Sequence, residues 1–393
     1  MVKNSIKSSR RRFIGLGTAA LTAGAVGSPD TSISKMNGES GQKSSRNLLN
    51  VGLILGGQSG HSLGLWGRQI NCTPGVNNVH YTPRRTGMYF THIWCIDRKM
   101  GENFAKAHNI DYVVKNYDDM VGKVDGVFID AFFNIPWYYK LARPYLEGGT
   151  PLFVNRPFAD SMRKAKEMIS LAKKYRTPIM TGSSFEHLAI IDVINQRVKK
   201  DTISGYVSWN DGTSDFYSHG LHGLWWAYKT AGGGINAVAH KTEGWDKGGG
   251  TTYVLYNDRG HGPFMGKIIH HCEHNQLICT KFEGDDHIYG YDLNMNWDRH
   301  MWTPLLVRIS ELFERGVEAQ PDTYEQILEK TSMFIAGFYS TLRKNGEFVE
   351  PGELDDDWAI GTPFGHSGKP SIEIDRAYAK LFGPEKGEIK PPE

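Results

Sequence analysis

Residues 124–159 read VDGVFIDAFFNIPWYYKLARPYLEGGTPLFVNRPFA. The first ten are apolar and β-rich, the pattern of a strand buried on both faces. From Ile135 to Glu147 apolar side chains recur at helical spacing, and Pro136 suits a first helical turn. Gly148 and Gly149 stop that helix, and TPLFVN is a second strand. A strand–helix–strand unit of this size cannot bury its own faces, so it belongs inside an open parallel sheet. Ligands of such sheets bind beyond the carboxyl ends of the strands. Two ends meet that description here, Asp130 to Asn134 and Asn155 to Ala159, and parallel strands put both on one rim.

The alternation continues to either side. LLNVGLIL, residues 48–55, is a first strand that runs into Gly56-Gly57-Gln58-Ser59-Gly60-His61. A glycine-rich loop at this place can bring backbone N–H groups to a pyrophosphate, although the spacing is not G-x-G-x-x-G. A tight turn explains it nearly as well. Residues 62–87 read as a long connection, of a length that often serves as a lid or substrate loop. Met88 to Ile96 is the second strand, and Asp97 at its tip is placed to accept bonds from an adenosine ribose. A helix follows from Gly101 to His108, a short strand from Ile110 to Val114 and a helical turn from Tyr117 to Val121. Beyond the opening unit, residues 160–176 form an amphipathic helix and residues 177–181 another strand. This order predicts a Rossmann-type parallel sheet.

After residue 183 the pattern changes. Residues 188–199 and 220–230 are helical, and the latter hold Trp225 and Trp226. Strands over 202–210, 235–242, 251–258, 264–275 and 277–284 alternate more strictly, as a sheet with one covered face requires. Helices over 302–315, 323–343 and 374–382 complete the chain. The expected organisation is α/β. A Rossmann-type domain over 48–182 is followed by an α/β domain over 183–345, built on a large open, mostly antiparallel sheet. Residues 346–393 form a C-terminal extension packing on the body.

The 393 residues can bury a large core, and a net charge of +2 gives no footprint for nucleic acid. The four cysteines lack zinc-site spacing. Ser9-Arg10-Arg11-Arg12-Phe13-Ile14 precedes GLGTAALTAGAVG, so residues 1–27 look like a twin-arginine export signal, with 28–47 as linker. This predicts a periplasmic or other extracytoplasmic location. The apolar run is too short to remain as a stable membrane anchor.

The assembled pattern resembles the Gfo/Idh/MocA oxidoreductase family over about residues 49–345, best in AFFNIPWYYKLARPYLEGG and NRPFADSMRKAKEMISLAKK. The resemblance implies a Rossmann domain, a second domain with a large open sheet, and NAD or NADP as cofactor. It also implies a sugar, cyclitol or related small molecule as substrate. The family's Glu-Lys-Pro signature stands here as Asn155-Arg156-Pro157-Phe158-Ala159. Its lysine handles a proton, whereas an arginine keeps the charge but is a poor proton acceptor. A second family pattern, an Asp two residues before Gly-x-His and another three after it, corresponds to Ser218-His219-Gly220-Leu221-His222-Gly223-Leu224-Trp225. The histidine is kept, and Ser218 and Trp225 replace the two acids.

These residues define the expected site. His222, Arg156 and Tyr217 are the catalytic candidates, with His222 the group able to exchange a proton near neutral pH. Gly56, Gly57, Gly60, Asp97, Asn134 and Arg156 are the cofactor candidates, and His219 and Trp225 the substrate candidates. His270, Cys272 and His274 alternate along one strand, but this is not a compact metal motif, and no metal is expected. The function expected is an exported NAD(P)-dependent oxidoreductase acting on a sugar or oligosaccharide, with a role in polysaccharide breakdown and a homo-oligomeric state open. Two alternatives stand beside it: a redox-neutral, nicotinamide-assisted glycoside hydrolase or lyase, and a noncatalytic carbohydrate-binding relative.

Overall fold

The structure is a computed structural model that describes residues 48–56, 66–71, 86–131, 134–210, 216, 220–242, 250–270, 277–292, 301–361 and 372–389. Six strands form the first sheet: β1 (Leu49–Leu55), β2 (Met88–Cys95), β3 (Tyr112–Val113), β4 (Gly126–Asp130), β5 (Leu152–Asn155) and β6 (Ile179–Gly182). Their spatial order is β3-β2-β1-β4-β5-β6, and every pairing is parallel. Strand order reverses between β1 and β4, which opens a crevice beyond their carboxyl ends. β4 and β5 are buried along their whole length, as their unbroken apolar runs predict. The helices named among the described residues of this half are α1 (Gly67–Asn71), α2 (Arg98–His108), α3 (Tyr138–Glu147) and α4 (Met162–Tyr175).

The opening stretch folds as read, with one refinement. The chain leaves β4, makes a 3-10 turn over Ile135–Trp137 and only then becomes α-helical. Pro136 lies in that turn, where its missing N–H costs nothing. Two elements depart from expectation. The described part of the long connection contains α1, a short helix that buries Ile70 and follows buried Trp66, too brief to show a period. Residues 117–121 are successive turns closed by bonds from Asp119 N to Asn116 O (3.2 Å) and Val121 N to Asp118 O (3.1 Å), not a helix.

The second half contains α5 (Ala189–Arg197), α6 (Leu221–Ala231) and a six-stranded sheet. Its strands are β7 (Gly205–Asn210), β8 (Ile235–Lys241), β9 (Gly250–Tyr256), β10 (Phe264–His270), β11 (Leu277–Phe282) and β12 (Ile288–Asp292), in the order β12-β11-β7-β10-β9-β8. Only the β7–β10 pair is parallel. Burial alternates along β9 and β10. β12 escapes a sequence reading because Gly290 interrupts it and Ile288 is exposed at the sheet edge.

Three further helices close the chain: α7 (Thr303–Arg315), α8 (Tyr324–Arg343) and α9 (Ile372–Phe382). α6 and α8 cover one face of the second sheet. Trp209 Nε1 on β7 donates to Thr230 Oγ1 on α6 (2.8 Å), and His240 N on β8 donates to Ser340 Oγ on α8 (3.1 Å). α7 returns to the first sheet, where Phe313 packs edge-on to Phe128 at 5.8 Å. α9 also reaches the first sheet, stacking Tyr378 on Trp137 at 5.9 Å. Residues 46–393 are therefore one compact unit built on two sheets.

Candidate active site at the strand tips

Asp130 ends β4 and Asn155 ends β5, and the Asn155 amide Nδ2 donates to Asp130 Oδ1. The two tips that the sequence put on one rim are thus joined. Asn155 Oδ1 also accepts from Arg156 N at 3.0 Å. Arg156 is only 1% exposed, and its peptide to Pro157 is cis. Burying a guanidinium is tolerable only beside opposite charge or acceptors, and Asp130 stands at the same rim. Tyr138, the first residue of α3, reports their proximity. Burial raises its phenol pKa well above the ordinary value, Asp130 and Tyr378 raise it further, and Arg156 pulls the other way.

β5 and β6 pair up to Asn155 and Gly182, so Arg156 and Ser183 each lie one residue beyond matched strand ends. Ser183 Oγ is hydrogen-bonded to His222 Nδ1 near the start of α6, and it accepts from Phe185 N at 3.1 Å. The Phe185 ring stacks on the imidazole with centroids 4.3 Å apart. His222 is therefore clamped on one nitrogen and one face. Ser183 thus fixes the orientation of the His222 ring. Its turn is readable as a capping box, Ser183 with Glu186 three residues on. Its partnership with a histidine 39 residues away is not.

The remaining candidates fall as follows. Asp97 caps α2, accepting from Met100 N at 3.1 Å through Oδ1. Gly56 follows β1, and a Cβ there would lie 2.5 Å from Ala131 Cα. The β1 and β4 tips are thus pressed backbone to backbone. Asn134 is fully buried, and neither its Oδ1 nor its Nδ2 has a partner among the described residues. Trp225 is buried, with Lys330 Nζ 5.4 Å above its ring. Gly57, Gly60, Tyr217 and His219 lie outside the described residues, as do the export segment and His271 to His274. His270 belongs to a covered polar chain: Thr252 Oγ1 bonds both His270 Nε2 (2.8 Å) and His240 Nδ1 (2.9 Å). Among the described residues no group of His, Cys, Asp or Glu is placed to hold a metal ion.

These features fit a dinucleotide. The rim has bare backbone at Gly56, a buried amide at Asn134 with no partner among the described residues, and buried Arg156 at the strand end next to Ser183, which holds His222. Solved structures with the same architecture are numerous. Scyllo-inositol dehydrogenase from Lactobacillus casei, with bound NAD(H) and scyllo-inositol, superposes with a TM-score of 0.60 at 11% identity, covering 78% of this chain and 100% of that one. The fold is that of the Gfo/Idh/MocA-type oxidoreductases. GenD2 from gentamicin A biosynthesis, in complex with NAD, gives 0.58 at 12% identity, covering 80% and 99%. Myo-inositol dehydrogenase from Lactobacillus casei, in complex with NAD(H) and myo-inositol, gives 0.61 at 12% identity, covering 80% and 98%. No protein-family model and no curated protein matches the sequence.

Proposed function

We propose that this chain is an NAD(P)-dependent oxidoreductase acting on a CH–OH group of a sugar or polyol. The observation that carries the reading is the rim itself, where Arg156 and Ser183, which holds His222, stand beyond neighbouring strand ends of a Rossmann-type parallel sheet. A bound nicotinamide would supply the hydride acceptor. The protein's residues bind, orient and move the proton. Arg156 stays protonated at all working pH, so it donates to the reacting oxygen and stabilises the negative charge that develops there. His222 accepts the hydroxyl proton at Nε2. That requires Nδ1–H to donate to Ser183 Oγ, a geometry the clamp allows. Asn155, held by Asp130, fixes the start of the loop that carries Arg156.

The similar structures named for scyllo- and myo-inositol support a compact, hydroxyl-rich ring as substrate. The twin-arginine pattern over residues 9–14 supports an extracytoplasmic substrate such as a sugar released in polysaccharide breakdown.

The test is to incubate purified protein with NAD+ or NADP+ and a panel of cyclitols and sugars, following the absorbance of reduced nicotinamide. His222→Asn is expected to lower kcat by about 10²–10⁴-fold while circular dichroism is unchanged. Undiminished turnover in that variant would remove His222 from the mechanism.

A further inference from the structure

Ser183 and His222 stand on different elements, and both elements are mounted on one buried ion network. On the Ser183 side, Glu186 lies in the short 3-10 turn Ser184–His187, and its Oε2 accepts from Ser183 N at 2.8 Å. On the His222 side, Lys229 lies further along α6 and donates to Asp322 Oδ1 at 2.8 Å. Lys330 of α8 joins the two. Its ammonium donates to Glu186 Oε1 at 2.6 Å and to Asp322 Oδ2 at 2.7 Å. It also stands 5.4 Å above the ring of Trp225, one turn after His222 on α6.

The two ammonium groups and two carboxylates cancel in charge, and the side chains of Lys330 and Glu186 are each only 1% exposed. Burying such charges is costly, and apolar residues of the same volume often give equal stability. An apolar residue cannot, however, supply a fixed hydrogen-bond acceptor under Ser183. Glu186 divides its oxygens between two tasks. One is locked to Lys330, and the other meets Ser183 N. The end of β6 is shaped to admit it: a Cβ at Gly182 would lie 2.6 Å from Glu186 Oε2. An ordinary capping box satisfies backbone groups at a helix start and nothing more. Here the Ser183 hydroxyl accepts from Phe185 N at 3.1 Å and is also bonded to His222 Nδ1, while the Phe185 ring stacks on the imidazole. The turn that Glu186 fixes therefore carries both groups that hold His222.

We propose that Glu186 is a positioning residue for His222. By holding Ser183 N it fixes the hydroxyl that sets the tautomer and orientation of the imidazole, and Lys330 holds Glu186 in place from α8. This deepens the oxidoreductase reading above, on which the task of His222 as proton acceptor rests.

The test compares two neutral replacements of the Glu186–Lys330 pair that differ in the acceptor alone. Glu186→Gln with Lys330→Met keeps an oxygen for Ser183 N, and Glu186→Leu with Lys330→Met removes it. Both leave Asp322 paired with Lys229, so neither strands a lone buried carboxylate. A neutral imidazole is a donor at one ring nitrogen and an acceptor at the other, and nitrogen chemical shifts distinguish the two forms. These shifts are measured by NMR on the full chain carrying isotopically labelled histidine, at mildly alkaline pH. The His222 signals are identified by their loss in His222→Asn. The unaltered chain and the first variant are expected to show one fixed tautomer. The second variant, like Ser183→Ala, is expected to show shifts averaged between the two tautomers, with circular dichroism unchanged. Unaltered His222 shifts in a folded second variant would overturn the proposal. Averaged shifts in the first variant would overturn it too, because the hydrogen bond to Ser183 would then not be what holds the ring. Should the second variant fail to fold, unaltered shifts in Ser183→Ala overturn it instead. No substrate or cofactor enters this measurement, so its failure is separate from that of the oxidoreductase reading. A single Nε2–H tautomer, lost in the second variant, would uphold the positioning and contradict His222 as the proton acceptor.

Discussion

At the scale of single residues, the proposed site combines a fixed positive charge with a proton-exchanging group. Arg156 supplies the first and His222 the second, and they reach one rim from positions 66 residues apart in sequence (222 minus 156). Gly56 shows how tightly the tips are built. Any side chain there meets the Ala131 backbone, which cannot rotate away, so Gly56→Ala should cost about 1–3 kcal/mol. Chemical denaturation would read this as a lower midpoint, and an unchanged midpoint would show that the tips can part freely. The sequence exposed Arg156, His222, Asp130 and Asn155 because each stands at the end of a recognisable element. Ser183 was illegible as a candidate site residue. Its partner His222 lies far along the chain, and no local pattern encodes a hydrogen bond across that distance.

At the scale of elements, the turn that carries Ser183 is held from the second half of the molecule. Glu186 Oε2 accepts from Ser183 N at 2.8 Å, and Glu186 Oε1 pairs with Lys330 Nζ of α8 at 2.6 Å. Lys330 also pairs with Asp322 at 2.7 Å, and Asp322 with Lys229 of α6 at 2.8 Å. Burial alone would lower the Lys330 ammonium pKa, but the Glu186 and Asp322 carboxylates outweigh it and raise it. Taking away one partner of a buried network leaves uncompensated charge. Lys330→Met is therefore expected to lower stability by about 3–5 kcal/mol, seen as a shifted urea midpoint. A shift below 1 kcal/mol would mean that water already reaches Glu186. The strongly patterned elements, α4, α8 and the six strands of the first sheet, were legible within a few residues. α1 and β12 were not. One is too short to show a period, and the other is a glycine-broken edge strand whose pairing depends on β11.

At the scale of the whole molecule, two sheets share one folded unit. Several solved dehydrogenases have this architecture although only 11–14% of aligned residues are identical. Alternation of strands and helices specifies the architecture even at this low identity. Stability of the whole also carries a pH signature. His240 is buried under α8, and burial, with His270 beside it, holds its pKa well below 6.5. A histidine with a lowered folded pKa contributes its full stability above pH 6.5. That contribution is lost as pH falls, because the unfolded chain takes a proton that the native state refuses. Urea midpoints should therefore decline below pH 6.5, with His240 alone contributing up to about 1.4 kcal/mol per pH unit. His240→Gln should flatten that part of the slope. An identical slope in the variant would assign the acid sensitivity elsewhere.

The strand tips are proposed to hold a nicotinamide dinucleotide beside Arg156 and His222. Calorimetric titration of the purified chain with NADH and with NADPH decides this. Saturable one-to-one binding of at least one of them is expected, weakened by Asn134→Leu, which removes the partnerless amide at the rim. No binding of either dinucleotide, by a folded protein that still binds a sugar or cyclitol, would contradict it.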